Sequence, residues 1–335
     1  MSAPVSASVS APVSAPVSAV VRDGLGNQLF IVVTALAYAR RHGRPALFRR
    51  DAAYGYRAAY WDSLLAHAPA TAPGSPACAA IEAADRVVHQ EAAHSFAEIP
   101  AGADTLAGFF QSARYFDAEF AAVAADLRLS EMRAAVRAKC INAFTANTNA
   151  NTSENASEVL AYDANVTSAP TTISVHFRLG DYKWHASHVL RCNYYAKAIA
   201  AACANIQTAA PGAVQAAAPI RVLYFYELED QAIIDNWIAA LRDAFSALEF
   251  VAARVCISSS ANATALADWE EMLLMSCCDH HVIANSSFSW WAAYLGRLDA
   301  PRGVVCAPRQ WFGTDVAALA RSRDICPADW LLIDD

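Results

Sequence analysis

From Thr171 to Gly296 the chain alternates short apolar runs with longer helical ones, and no other feature constrains the fold as much. Thr171 to Phe177 (TTISVHF), Arg221 to Tyr226 (RVLYFY), Ala252 to Ile257 (ARVCI after the alanine) and His281 to Ala284 (HVIA) read as strands. Helical spacing separates them at Tyr194 to Ala201, Ile233 to Leu241 and Ala267 to Cys277, and NSSFSWW at 285–291 opens another helix. Strands joined through helices are parallel, and parallel strands buried on both faces read as nearly continuous apolar runs. The expectation is a doubly wound α/β sheet with its ligands at the carboxyl ends of the strands.

The first half carries a weaker version of the same rhythm. Val20 and Val21 end a short strand, Gly24 and Gly26 permit a tight turn, and a helix runs from about Gln28 to Arg41. Gly43 and Pro45 stop it, and Ala46 to Phe48 suggests a second strand. Thr105 to Phe116 reads as a strand leading to a helix. The organisation expected is a disordered Ala/Pro/Ser/Val tail over 1–19 and an α/β domain over 20–144. A polar linker over 145–170 and a second, Rossmann-like α/β domain over 171–335 follow.

Composition excludes some functions. The chain has 335 residues, 56% of them hydrophobic and 17% charged, with a net charge of -7. No Lys/Arg run offers a phosphate-tracking stripe, so a nucleic-acid partner is not expected. A small anionic ligand needs only one local pocket. The apolar stretch Leu29 to Ala39 is too short to span a bilayer, and the proline-rich start is not expected to act as a signal peptide or an anchor. A cytoplasmic protein without an integral membrane segment is expected, its oligomeric state open. The nine cysteines form no CxxC pair, which points to reduced thiols and no zinc site. HQEAAH places His89 and His94 at i and i+5, which fails the HExxH pattern of a zinc hydrolase. Sequons begin at Asn151, Asn155, Asn165, Asn262 and Asn285.

Two polar clusters fall at strand ends. In the first, His176 and Arg178 share one face of a strand, Gly180 lets the chain turn, and Asp181 can orient the arginine. A planar guanidinium there either grips two phosphate oxygens or forms a structural pair with Asp181. The second, Asn285, Ser286, Ser287 and Ser289, lies where a helix begins, so it is either an anion site or ordinary N-capping. With Gly24, Gly26, Asn27 and Gln28 closing from the first domain, the residues suggest a two-domain, nucleotide-using transferase.

GLGNQLF at 24–30, LAGFFQSARYF at 106–116, SVHFRLGDY at 174–182, MSCCDHHVIANSSFSWWAAYLG at 275–296 and APRQWF at 307–312 resemble the α-1,2-fucosyltransferases, over roughly residues 21 to 315. The resemblance implies a GT-B-like architecture, two Rossmann-like domains facing an interdomain cleft. It implies GDP-fucose as donor and inverting transfer of L-fucose to the 2-hydroxyl of a galactose-terminated glycan, with no obligatory metal or cofactor. The family's HxRRGD block falls on His176, Arg178, Gly180 and Asp181, and its second arginine is replaced by Leu179. A second departure lies in YFYELEDQ at 224–231, where relatives carry a Ser-Asp-Asp strand end. By this resemblance Arg178 and Asn27 stabilise the leaving diphosphate. Gly24, Gly26, Gln28, His176, Gly180, Asp181, Asn285, Ser286, Ser287 and Ser289 line the donor, and Glu271 accepts from the guanine. Glu91 is the candidate general base. The alternatives are a fucosyltransferase of another linkage and a non-catalytic relative that binds nucleotide sugar or glycan.

Overall fold

The computed structural model describes residues 15–54, 56–92, 95–145, 169–184, 189–209, 219–256, 265–298, 303–312 and 322–335. Two sheet-bearing regions with surrounding helices make an α/β fold. The sequons at Asn151, Asn155, Asn165 and Asn262, His94, and most of the expected linker and tail lie outside the described residues.

The first region is built on a three-stranded parallel sheet of β1 (Ser18–Ala19), β2 (Val88–Gln90) and β3 (Thr105–Ala107), with β3 in the middle. Helix α1 (Leu25–Arg41) follows β1, and α2 (Leu129–Lys139) lies toward the second region. A pair Phe48–Arg49 with Ala70–Thr71 and a hairpin Ala53–Tyr54 with Arg57–Ala58 complete its strands among the described residues. The tail expected over 1–19 overlaps ordered structure: Val17, Ser18 and Ala19 are buried, Ser18 and Ala19 pair in the sheet, and Val17 bridges to Ala46. Val17, Ala19 and Val21 alternate inward, a strand period that the Ala/Pro/Ser/Val repeat disguises.

The second region is a six-stranded, wholly parallel sheet. Its strands are β4 (Thr171–His176), β5 (Ile220–Phe225), β6 (Glu249–Ala252), β7 (His280–Val282), β8 (Val305–Pro308) and β9 (Leu331–Ile333), in the order β6-β5-β4-β7-β8-β9. Helices α3 (Cys192–Ala209), α4 (Gln231–Ala244), α5 (Asp268–Ser276) and α6 (Ser287–Leu295) connect or follow them. The strand expected over 252–257 is displaced: the strand ends at Ala252, and Ala253–Cys256 is a 3-10 turn. The ladder with β5 decides this, because Glu249 to Ala252 pair with Arg221 to Tyr224.

The chain leaves β4 for β5 and β6 on one side and returns through β7 on the other. Strand order therefore reverses between β4 and β7, which makes their carboxyl ends a topological switch point.

One apolar core joins the regions. Phe30 of α1 packs against Trp290 and Trp291 of α6, with ring centroids 4.5 and 5.0 Å apart, and Phe116 stacks on Trp291 at 5.3 Å. Trp290 and Trp291 are fully buried, so they are packing residues. Gly26 makes the approach possible, since a Cβ there would sit 2.4 Å from the backbone carbon of Ser287. The glycine turn of GLGNQLF thus lets α1 meet the start of α6.

Candidate functional site

Between the regions lies a cavity of about 600 Å³ at the switch point of the second sheet. Gly24, Gly26 and Asn27 line it from the first region; His176, Arg178 and Asp181 enter from the end of β4, and Ser286 and Ser287 from the end of β7. Glu271 on α5 completes the predicted set that reaches it.

Two helices begin at this cavity. Neither α1 nor α6 has a side-chain hydrogen bond capping its first turn, although Gly24 and Ser286 occupy the cap positions. The leading N–H groups of a helix have no intrahelical acceptor and carry its positive dipole end, so such a terminus favours an anion.

Arg178 is mostly enclosed, its side chain 14% exposed, and donates to Asp181 Oδ1 and Glu227 Oε1 while facing the Tyr182 ring. The turn beneath it is held by buried Asp230, which accepts from Gly180 N at 2.8 Å and from Lys183 Nζ at 2.6 Å. Gly180 has φ +38°, and a Cβ there would meet Arg178 and Glu227. Leu179 is 2% exposed and packs into the second core, facing away from Arg178 as strand alternation requires. Thus the divergent 224–231 segment supplies both the anchor of the turn, Asp230, and a partner of Arg178, Glu227.

Burial, helped by the Arg178 charge, pushes His176 down to about 3, so the ring is neutral at physiological pH. Its Nδ1 is buried without a hydrogen-bond partner among the described residues. Burial and the neighbouring Asp268 push Glu271 up to about 7. Asp268 also accepts from the Tyr60 hydroxyl, a polar contact across the cleft.

Other predicted residues stand back from the cavity. Gln28 is buried and donates to the carbonyls of Asp23 and Ala58, each at 2.7 Å, so it braces the loops. Asn285 is 3% exposed and donates to the Trp311 carbonyl at 3.1 Å, which also closes its sequon to modification in the folded chain. Ser289 is buried and bonds to carbonyls of its own turn. Glu91 is not brought to the cavity: it accepts from Phe109 N at 2.7 Å and from Phe110 N at 3.0 Å. A carboxylate pinning the turn after β3 has no geometric support as a base for cavity chemistry.

The sequence reading did not single out Arg57, Tyr60 or Gln111, and it met Asp230 only as part of the departing 224–231 segment. Gln111 Nε2 donates to Asn27 Oδ1 at 2.7 Å and so orients the Asn27 amide. Arg57 and Tyr60 lie in a stretch with no strand or helix period to flag them, whereas Gln111 stood inside the LAGFFQSARYF block. Among the described residues, carboxylate oxygens of Glu227, Glu229 and Asp230 fall within 4.8 Å of one another. Asp230 is already committed to Lys183, which makes a poor cation cage.

Two helix starts without side-chain caps and an enclosed arginine thus meet at one switch point, an arrangement that favours an anion. Residues 247–334 match the model of glycosyl transferase family 11, a span that runs from β6 through α5, β7 and α6 to β9. Over 64 residues the chain is 44% identical to an Escherichia coli alpha-1,2-colitosyltransferase, covering 19% of this chain and 20% of that protein. Over 42 residues it is 45% identical to the Escherichia coli O-antigen biosynthesis glycosyltransferase WbnK, covering 12% and 13%. These matches span no more than a fifth of either relative's length. The fucosyltransferase NodZ from Bradyrhizobium is similar over 84% of this chain and 93% of its own, at 15% identity and a TM-score of 0.38. Residues 247–334 are thus similar to glycosyl transferase family 11, and the rest of the chain lies outside that match. No helix among the described residues is long and apolar enough to cross a membrane.

Proposed function

We propose that this chain transfers a sugar from a GDP-linked donor, held in the cleft, to a hydroxyl of a second sugar. The observation that carries the reading is the convergence of two helix starts and Arg178 on one cavity. The similarity of residues 247–334 to glycosyl transferase family 11 supports the reaction class.

In such a transfer the bond between the anomeric carbon and the β-phosphate oxygen breaks, and negative charge grows on the departing diphosphate. Arg178, the Asn27 amide and the N–H groups opening α1 and α6 stabilise that charge where it develops. Aimed in advance by the fold, they pay little reorganisation during the reaction. Glu271, ionised, accepts from the guanine N–H groups, and His176, held neutral, offers a hydrogen bond without adding charge.

The finer reading is α-1,2 transfer of L-fucose from GDP-fucose to the 2-hydroxyl of a terminal galactose-type sugar, without a metal. The fucosyltransferase-like blocks support it, as does the segment shared with a protein named for α-1,2 transfer of colitose. Because that relative's name specifies a different sugar, GDP-colitose belongs in the same test. A different linkage stands beside it, since no described residue fixes the acceptor. A relative that binds nucleotide sugar without turnover is favoured by Arg178 being tied to both Asp181 and Glu227.

The test is GDP release from GDP-fucose and from GDP-colitose, with EDTA, against a panel of terminal β-galactosides. Acceptor-dependent release beyond one equivalent supports transfer, and a product cleaved by an α-1,2-specific fucosidase supports the linkage. Multiple turnovers with a product resistant to that enzyme would assign another linkage. Donor binding with no release on any acceptor would favour the binding protein.

A further inference from the structure

A second arginine faces the cavity, and it comes from the other wall. Arg57 is delivered by the Ala53–Tyr54/Arg57–Ala58 hairpin of the first region. The buried Gln28 amide holds the Ala58 carbonyl, fixing the backbone beside Arg57 against the start of α1. Arg57 reaches to 3.8 Å from Asp181 Oδ2, while Oδ1 of the same carboxylate accepts from Arg178. One carboxylate therefore lies between two guanidinium groups brought from different regions.

The Arg57 contact is loose. Charge-assisted hydrogen bonds close to about 2.7–2.9 Å, so 3.8 Å is an ion pair without one. Its Nε is buried and has no hydrogen-bond partner among the described residues. The side chain is 38% exposed and its guanidinium lies over the Tyr56 ring, yet buried donors are normally satisfied, and an unsatisfied Nε beside a cleft is explained by a ligand. Residue 179 cannot supply a second cation to the cavity, because Leu179 points into the core.

We propose that Arg57 is a donor-binding residue that grips the diphosphate together with Arg178. The phosphate oxygens then occupy the position between the two guanidinium groups that the Asp181 carboxylate holds in this structure. Asp181 and Glu227 are both more than half exposed, so they turn into water at little cost when the stronger anion arrives. Because the two arginines come from opposite walls, the diphosphate ties the regions together. The inference rests on the diphosphate reading of the cleft.

Titration calorimetry of the full chain with GDP and with GMP tests it, using wild type, Arg57→Ala and Arg57→Lys. Losing a hydrogen bond to a charged group predicts a ~10-fold or greater loss of GDP affinity in Arg57→Ala. GMP affinity should change much less, so the preference for GDP over GMP shrinks. Lysine restores part of the loss, since a point charge lacks the planar fork. A melting curve without nucleotide checks the fold, and Arg57→Lys carries the test if the alanine variant does not fold. Wild-type affinity for GDP in the folded variants, or equal losses for GDP and GMP, would overturn the role of Arg57 and leave the donor reading standing. Failure of wild type to bind GDP would overturn both.

Discussion

The two regions are made of the same kinds of element but in different proportions. The second has six parallel strands in continuous register and holds its polar groups at strand ends, where the ladder fixes them. The first has strands of two or three residues and supplies its cavity groups from a helix start and a hairpin. A long ladder sets the position of Arg178, whereas Arg57 and Asn27 depend on individual bonds from Gln28 and Gln111. The comparison teaches that the cleft has one wall fixed by topology and one fixed by side chains.

The largest expected effect lies on the topological wall. Arg178→Ala should lower the transfer rate by at least ~10²-fold, by analogy with loss of a preorganised charge-stabilising donor. Steady-state assays with melting curves check it; a folded variant with an unchanged rate would remove Arg178 from the chemistry. Next, Gly26→Val tests how the walls meet. Overpacking of this kind costs ~1–3 kcal/mol, and backbone lies in the way. Chemical denaturation should show the loss, and unchanged stability would mean that the helices separate freely.

A smaller effect should come from Glu271, raised to about 7. Accepting from guanine requires the carboxylate, so GDP affinity should rise as pH rises through about 7 and flatten in Glu271→Gln. For stability the sign runs the other way. The folded state binds the proton more tightly than the unfolded chain, so raising pH from the ordinary carboxyl range through about 7 weakens the fold. A wild-type GDP affinity flat across that window would place Glu271 away from the base. The smallest effect on rate should come from Glu91→Gln. It should cost ~1 kcal/mol of stability through weakened bonds to Phe109 and Phe110, with the pH–rate profile unchanged. Loss of the basic limb of that profile would restore Glu91 as the base.

The same contrast explains what the sequence revealed. Strands β4, β5 and β7 announced themselves because their apolar runs are bounded by polar turns, and Arg178, Ser286 and Ser287 could be placed from strand ends alone. Pairs such as Phe48–Arg49 and Ala70–Thr71 are too short for any period to register. β1 was expected to end at Val21 and ends instead at Ala19, because its start is masked by an Ala/Pro/Ser/Val repeat, and β8 and β9 lay beyond the rhythm that carried the prediction. Among polar groups, sequence could put Asn285, Ser289 and Gln28 near the turns. It could not tell which way they point, and all three turn inward to satisfy backbone. Glu91 is ambiguous in sequence for a related reason: a carboxylate beside a cleft and one clamping a turn look alike until the N–H groups of Phe109 and Phe110 are in place.

The central claim, that Arg178 and the starts of α1 and α6 hold a diphosphate, is tested most directly by a crystal structure with GDP. The account predicts phosphate oxygens within hydrogen-bond distance of Arg178 and of N–H groups at Gly24 to Asn27 or Ser286 to Phe288. GDP bound elsewhere, or phosphates turned to solvent with Arg178 still paired to Asp181 and Glu227, would contradict it.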